Sequence, residues 1–399
     1  MMQAQEVARE RVLVIHNAYQ HRGGEDTVVE AEMALLRERG HAVELFSAHN
    51  DSINGMGRLA LAGRTLWSRA AAADMDTLIT RFAPDVIHVH NTFPLLSPAI
   101  YWAAAARRVP VVQTLHNFRL LCPQAMFLRE GRVCEDCLGH LPWRGVARGC
   151  YRGSRAQTAV LAGMVSAHRA IGTWQNKVTR YIALNAFCRD KFIAGGLPAE
   201  RVVIKPNFVD FDRPEAQARS GFLFVGRLSA EKGVRVLADA AAAVDGAQVT
   251  VAGSGPEAPV LEGIAGVDAK GSVDRSAVAR MMASATALLV PSVWYETFGL
   301  VIVEAFAAAT PVIASRLGVM PDLVEDGATG LLFEPGNAAD LASKMRWAQA
   351  NPERMAEMGA AARARYEARY TAERNYTQLI DIYRDAMAAA RTEAGHGAH

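Results

Sequence analysis

The chain lacks any apolar run long enough to cross a membrane. A span needs ~20 consecutive apolar residues. Ala159 to Ala167 is too short, and Leu300 to Ala314 is interrupted by Glu304 and Pro311. The first eleven residues are polar and charged, with no signal-peptide core. There is no excess of one charge either. The net charge is +2, which leaves no broad basic face for nucleic acid. A full G-x-G-x-x-G is missing after the strand-like segments at Ile15 to Gly24 and Val251 to Glu257, which argues against a pair of nicotinamide-binding domains. These absences point to a cytoplasmic protein. The basic-aromatic stretch Arg58, Arg64, Trp67, Arg69 reads either as a contact with an anionic membrane surface or, more plainly, as a solvated helix face.

What the chain does have is length and apolar content. At 399 residues, 51% of them hydrophobic, it exceeds one ordinary core, so two domains are expected. Strand and helix patterns alternate throughout. Apolar runs at Arg11 to Asn17, Val43 to Ser47, Asp85 to His90, Val109 to His116, Tyr181 to Asn185 and Val202 to Pro206 read as strands buried on both faces. An aperiodic break at Pro206 to Ser220 is followed by a second set at Phe222, Gln248, Ala269, Ala287, Pro311 and Gly330. Charged helical sequence from Ala338 to Arg391 and a polar tail close the chain. The architecture expected is α/β: two Rossmann-like, doubly wound domains joined near residue 210.

The strand ends carry the chemistry. Trp294 to Glu304 follows the strand Ala287 to Val290 and holds two carboxylates, Glu296 in a loop and Glu304 in a helix. At about 1.5 Å rise per residue they stand roughly 10 Å apart. That is too far for a retaining glycosidase pair and suits two groups of one elongated ligand. The helix opening at Phe298-Gly299-Leu300 would aim amides at a phosphate, and an acid among Val, Ile, Ala and Phe is costly unless paired or ligand-bound. Gly226-Arg227 and Glu231-Lys232-Gly233 follow another strand; two cations on a strand-to-helix turn suit a pyrophosphate, against two surface cations of which one pairs with Glu231. Gly253-Ser-Gly255-Pro256 reads as a tight turn beside a nucleotide. In the first half, Gln20 to Glu25 (with Arg22, Gly23 and Gly24), His88 to Asn91 (with His90) and Thr114 to Asn117 (with His116) end on one strand rim. One of His88 and His90 is expected to face the interior. Cys122, Cys134, Cys137 and Cys150 fall within thirty residues, one pair as C-x-x-C. Disulfides are disfavoured in the cytoplasm, so they read as a structural zinc tetrathiolate or as free small core residues.

These motifs in this order resemble the retaining glycosyltransferases of family 4, with the two-domain GT-B fold, over residues 11 to 390. The marks are Gly226-Arg227 with Glu231-Lys232-Gly233, then Pro291-Ser292, Glu296-Thr-Phe-Gly299 and Glu304, supported by Gly23-Gly24, His90-Asn91, His116 and Lys205-Pro206-Asn207. The resemblance implies an N-terminal acceptor domain, 1–208, carrying the cysteine-rich insertion at 118–153. It implies a donor domain at 209–372, a helix at 373–391 that packs back on the first domain, and a flexible tail at 392–399. It further implies that Arg227 and Lys232 hold the diphosphate, Glu304 the ribose and Glu296 the donor sugar, with His116 near the transferred sugar. Gly23, Gly24, Gly253, Gly255, Phe298, Gly299 and Leu300 then line the donor, and Arg22, His90 and Asn91 face the acceptor. Gly318-Val319 and Asp322 stand where the family often has Gly-Gly and Glu.

The expected reaction moves a hexose-type sugar from a UDP or GDP donor to a saccharide or lipid-linked hydroxyl with retention, in polysaccharide or glycolipid synthesis. No cofactor is expected in the chemistry, because no Asp-x-Asp stands beside these motifs to hold magnesium. The competing readings are a GT-B epimerase or phosphorylase and a non-catalytic zinc-binding scaffold.

Overall fold

The computed structural model describes residues 9–20, 22–210 and 218–396; His21, part of the break after Pro206 and the last three residues lie outside them. Six strands form the first sheet: β1 (Arg11–Ala18), β2 (Ala42–His49), β3 (Val86–Asn91), β4 (Val111–Thr114), then, after a small antiparallel hairpin of β5 (Leu128–Arg129) and β6 (Arg132–Val133), β7 (Arg180–Ala183) and β8 (Val202–Ile204). Six more form the second: β9 (Phe222–Val225), β10 (Val249–Ala252), β11 (Val267–Gly271), β12 (Ala287–Val290), β13 (Val312–Ser315) and β14 (Gly330–Phe333). Every pairing within the two large sheets is parallel.

Two-sided burial explains the near-continuous apolar strands. In β12, Leu288 and Val290 enter one core while Ala287 and Leu289 enter the other. In β1, Leu13 and Ile15 face one side, Val12 and Val14 the opposite. The strand orders are β2-β1-β3-β4-β7-β8 and β11-β10-β9-β12-β13-β14. The second is the Rossmann order; the first reverses between β1 and β3, as in flavodoxin-like sheets. Each sheet therefore has a switch point at which the loops after two neighbouring strands diverge. In the first sheet these loops follow Ala18 and Asn91, and in the second Val225 and Val290. Gly23-Gly24, Gly226 to Gly233 and Trp294 to Gly299 sit on these loops, while His116 follows β4 and Gly253 to Pro256 follow β10.

The charged C-terminal sequence divides into Ala338–Ala350, Pro352–Arg369 and Ala372–His396. Pro352 opens the middle helix, where its missing N–H costs nothing. The last helix lays Leu379, Ile380, Tyr383 and Ala386, one helical stripe, on Val12, Val14, Val86 and Val112 of the first sheet. It continues to His396, so the expected tail from Thr392 is helical as far as it is described, with Glu393 and Ala394 good helix formers. Among the described residues no helix is long and apolar enough to cross a membrane.

The last helix is locked by Tyr383, whose hydroxyl lies 2.7 Å from His88 Nδ1 with both groups fully buried. Tyr383→Phe leaves that nitrogen without its partner and should cost about 1–3 kcal/mol. Urea unfolding checks this; an unchanged midpoint would show that the helix is not anchored there.

Candidate active site

In the second half, β9 and β10 end side by side and their loops zip together. Gly226 N donates to Ala252 O, and Leu228 N to Ser254 O. The approach is so close that a Cβ on Gly253 would stand 1.8 Å from Gly226 O, and one on Gly255 2.3 Å from Leu228 O. These glycines therefore shape the loop that carries Arg227. Arg227 is exposed, and among the described residues it has no ion-pair partner. Ala230–Lys232 forms a short 3-10 turn that ends on Gly233 at φ 73°, where a Cβ would stand 1.8 Å from Pro291 O. That contact seats Lys232 against the loop after β12.

Lys232 does not pair with Glu231, which accepts from Ser229 Oγ at 2.6 Å. Its Nζ reaches Glu296 Oε1 at 2.5 Å. Ser292 Oγ and Trp294 Nε1 donate to the same oxygen, each at 3.0 Å. Glu296 is thereby held as a nearly buried carboxylate. Phe298 is buried in the second core and Gly299, at φ 80°, opens the helix Leu300–Ala307. Glu304 lies within that helix; burial raises its carboxyl to about 7, opposed by Arg275.

The first half meets this loop directly. Gly23 caps the helix Gly24–Glu38, and a Cβ on Gly24 would stand 3.1 Å from Leu300 Cδ1. The N-termini of two helices thus face each other across the cleft, and both present free amides and positive field. Thr297 Oγ1 donates to His116 O at 2.8 Å, and Asn185 Nδ2 to Thr297 O at 2.6 Å. His116 Nε2 lies 2.8 Å from His90 Nδ1, the rings stacked. Burial, then the charges of His16 and Lys205, push His116 down to about 3, so it is a neutral imidazole. His88 is the fully buried member of its pair and bonds Thr114 and Tyr383.

Two expectations for the acceptor side change. Arg22 is exposed and pairs with the exposed Glu30 of the helix that follows. Asn91 is buried and its amide is consumed by Asn17 O and Phe93 N. His90 is buried behind His116. Both do line a partly open hollow, with Phe93, His116, Asn117 and Arg119. The four cysteines line a different, smaller one.

Several contributing residues carried no assigned role in the sequence. Asp26 accepts from Gly23 N at 2.7 Å and from His16 Nε2 at 2.8 Å; an acid three places after the cap is a capping-box signal that sequence could have shown. Glu25 takes the Tyr19 hydroxyl at 3.0 Å, and burial raises it to about 8. Lys205 is fully buried on Glu32 at 2.6 Å, a partner that its place among the family marks did not indicate.

Residues 22–213 match the model of the Glycosyltransferase Family 4, and residues 209–365 that of the glycosyl transferases group 1. The chain belongs to this glycosyltransferase family. The two matches meet beside the break after Pro206 and between them take in all four switch-point loops except the first residues after β1. A curated relative, the alpha-D-kanosaminyltransferase of Streptomyces kanamyceticus, is 33% identical over 219 residues, 47% of this chain and 55% of that protein. The chain thus spans little more than half of that relative's length. Among solved structures, sucrose-phosphate synthase of Thermosynechococcus elongatus shares the fold at TM-score 0.70 and 20% identity, covering 96% of this chain and 100% of that one. HepE of Anabaena, solved with UDP, aligns at TM-score 0.66 and 20% identity over 93% and 98%. Both have the GT-B fold, and this chain has it too.

Gly233 separates packing from backbone strain. Gly233→Ala meets the Pro291 carbonyl and should destabilise by about 3 kcal/mol or more. Gly246→Ala, at φ 69° with open space around it, should cost only about 1–2 kcal/mol. Thermal unfolding of the pair checks this, and equal shifts would contradict the close approach.

Proposed function

We propose that this chain transfers a hexose-type sugar from a nucleoside diphosphate to an acceptor hydroxyl, with retention at the anomeric carbon. The observation that carries the reading is the convergence of Lys232, Glu296 and two facing helix N-termini at the Gly24–Leu300 contact. The diphosphate lies between those termini, held by Arg227, Lys232 and the amides of Gly24 and Leu300. Glu304, farther along its helix, accepts from the ribose hydroxyls. Glu296 contacts the donor sugar, and the neutral His116 accepts or donates to a sugar hydroxyl without adding charge. The kanosaminyltransferase relative and the UDP bound to HepE support a nucleotide-sugar donor, with UDP favoured over GDP.

The difficult step is loss of the diphosphate, whose charge grows as the glycosidic bond breaks. Fixed cations and helix amides aimed at that charge lower the barrier. Lys232 exchanges its Glu296 partner for the phosphate, and this frees Glu296 for the sugar. The departing phosphate oxygen takes the acceptor proton on the face from which the acceptor attacks. The acceptor, a saccharide or lipid-linked hydroxyl in polysaccharide or glycolipid synthesis, approaches along the cavity of His116, Asn117 and Arg119. Contact with a membrane surface would fall on Arg58, Leu59, Leu66, Trp67 and Arg69, since Arg64 is bonded to Leu95 O; Leu59 is 90% and Trp67 40% exposed.

Lys232→Ala should lower kcat about 10²–10³-fold, and Glu296→Ala should also lower transfer. Nucleotide release across a panel of UDP- and GDP-sugars measures both; wild-type rates in both variants would reject the assignment. A second expectation concerns pH. Ribose hydroxyls bind the ionised form of Glu304, and its carboxyl is raised to about 7 by burial. UDP affinity should therefore be steady above pH 7 and fall as pH drops through 7. Calorimetry at several pH values checks this, and Glu304→Gln should bind weakly with the dependence gone. A pH-independent wild type would exclude Glu304 from the ribose site.

A further inference from the structure

We propose that Cys122, Cys134, Cys137 and Cys150 bind one zinc ion, and that this ion fixes the wall of the acceptor-side cavity against the donor loop. All four cysteines are free thiols, and all four line one cavity. They come from three separate turns. Cys122 closes a turn in which its amide bonds Phe118 O and its carbonyl takes Ala125 N. Cys134 and Cys137 follow the hairpin of β5 and β6, with Leu138 N bonded to Glu135 O and His140 N to Cys137 O. Cys150 ends the helix Trp143–Arg148, its amide bonded to Gly145 O. A hairpin followed by a C-x-x-C turn, with two more thiols supplied from flanking loops, is the layout of a closed tetrathiolate site.

The surroundings fit a charged centre. Four thiolates on a divalent ion carry net charge −2, and Arg129 and Arg148 line the same cavity, Arg148 Nη1 standing 4.0 Å from Cys134 Sγ while each also pairs with a neighbouring carboxylate, Glu130 and Asp136. Gly145 lets the helix press onto the site: a Cβ there would stand 3.1 Å from Pro123 and 3.7 Å from Cys137 Sγ. Packing anchors the start of the segment, where Leu121 and Phe127 are buried in the first core. Strands of two residues each do not support themselves in water, and Leu141 and Trp143 point outward, 57% and 63% exposed. Among the described residues, only Glu32, His88 and His90 have three ligand atoms within 4.8 Å of one another. There the Lys205 ammonium already provides the positive charge. The thiols are spaced more widely and must close on the ion as it binds, releasing protons.

The position gives the ion a task. Arg119 lies three residues before Cys122 and Tyr151 directly after Cys150. The Arg119 guanidinium sits 4.3 Å from the Phe93 ring centroid and 5.7 Å from that of Tyr151, and Arg119 and Phe93 line the cavity beside His116. On the other side, Phe127 of the hairpin loop meets Tyr295 at 6.3 Å, next to Glu296. A metal at the cysteines therefore holds residues on both sides of the transfer site. This second part rests on the proposed glycosyl transfer; the metal itself does not.

Metal analysis and thiol counting on the full chain, purified after growth with zinc, test the proposal. One zinc per chain is expected, with the four thiols unreactive to a disulfide reagent until a chelator is added. The Cys134→Ser/Cys137→Ser variant should lose the zinc, keep UDP affinity and lose about tenfold or more in acceptor-dependent transfer. Wild-type protein that takes up no zinc, or whose thiols react equally with and without chelator, overturns the site whether or not the enzyme transfers sugar. Zinc lost with UDP binding and transfer both unchanged overturns the link to the acceptor wall.

Discussion

The cleft depends on one short segment, the loop after β12, whose residues touch both halves of the molecule. Thr297 bonds the His116 carbonyl, Asn185 bonds the Thr297 carbonyl, and Tyr295 packs on Phe187 at 4.8 Å. The same loop carries Glu296 to Lys232 and ends at the helix facing Gly24. Hydrogen bonds to a backbone carbonyl fix position without adding charge, so the segment aligns the two strand rims and leaves the electrostatics to Lys232, Arg227 and the helix ends. Gly318, at φ 58°, makes room for it: a Cβ there would stand 3.0 Å from Tyr295 Cδ1. That contact gives a local reason for glycine at a position where the neighbouring Val319 departs from the family's usual pair.

The charge distribution differs between the two strand rims. On the second rim Arg227 and Lys232 stand in contact with solvent. On the first rim most ionisable groups are buried and neutral or internally paired, with Arg119 the exception, set over the Phe93 and Tyr151 rings. His116 and His90 share a proton between stacked rings, Glu32 and Lys205 neutralise each other, and Asp26 ties His16 to the glycine loop. The buried pairs are costly to break, since removing one partner strands the other charge, which makes this wall rigid as well as neutral.

Much of this was legible in the sequence, and the reason is periodicity. Strands buried on both faces are apolar without interruption, so β9, β12 and β14 stand out as isolated runs, and parallel topology then forces the following loops to one rim. Glu296, Glu304, Arg227 and Lys232 were visible because charged residues and glycines directly after such runs have few structural explanations. Partner choice was not legible. That Lys232 takes Glu296 across 64 residues, that Asn91 spends its amide on Asn17, and that Lys205 lies buried on Glu32 are all consequences of tertiary packing. Arg22 misled for the same reason, since its exposed pairing with Glu30 depends on the helix that follows. The terminal helix runs past its expected end, through Glu393 and Ala394 and across Gly395, because the sequence pattern there holds no proline to stop it.

The structure of the protein with a nucleoside diphosphate bound tests the central claim most directly. The account predicts the two phosphates between the helix ends at Gly24 and Leu300, within hydrogen-bond reach of Arg227 and Lys232, with Glu304 on the ribose. A nucleotide bound away from β9 and β12, or phosphates that leave the Lys232–Glu296 pair intact, would contradict it.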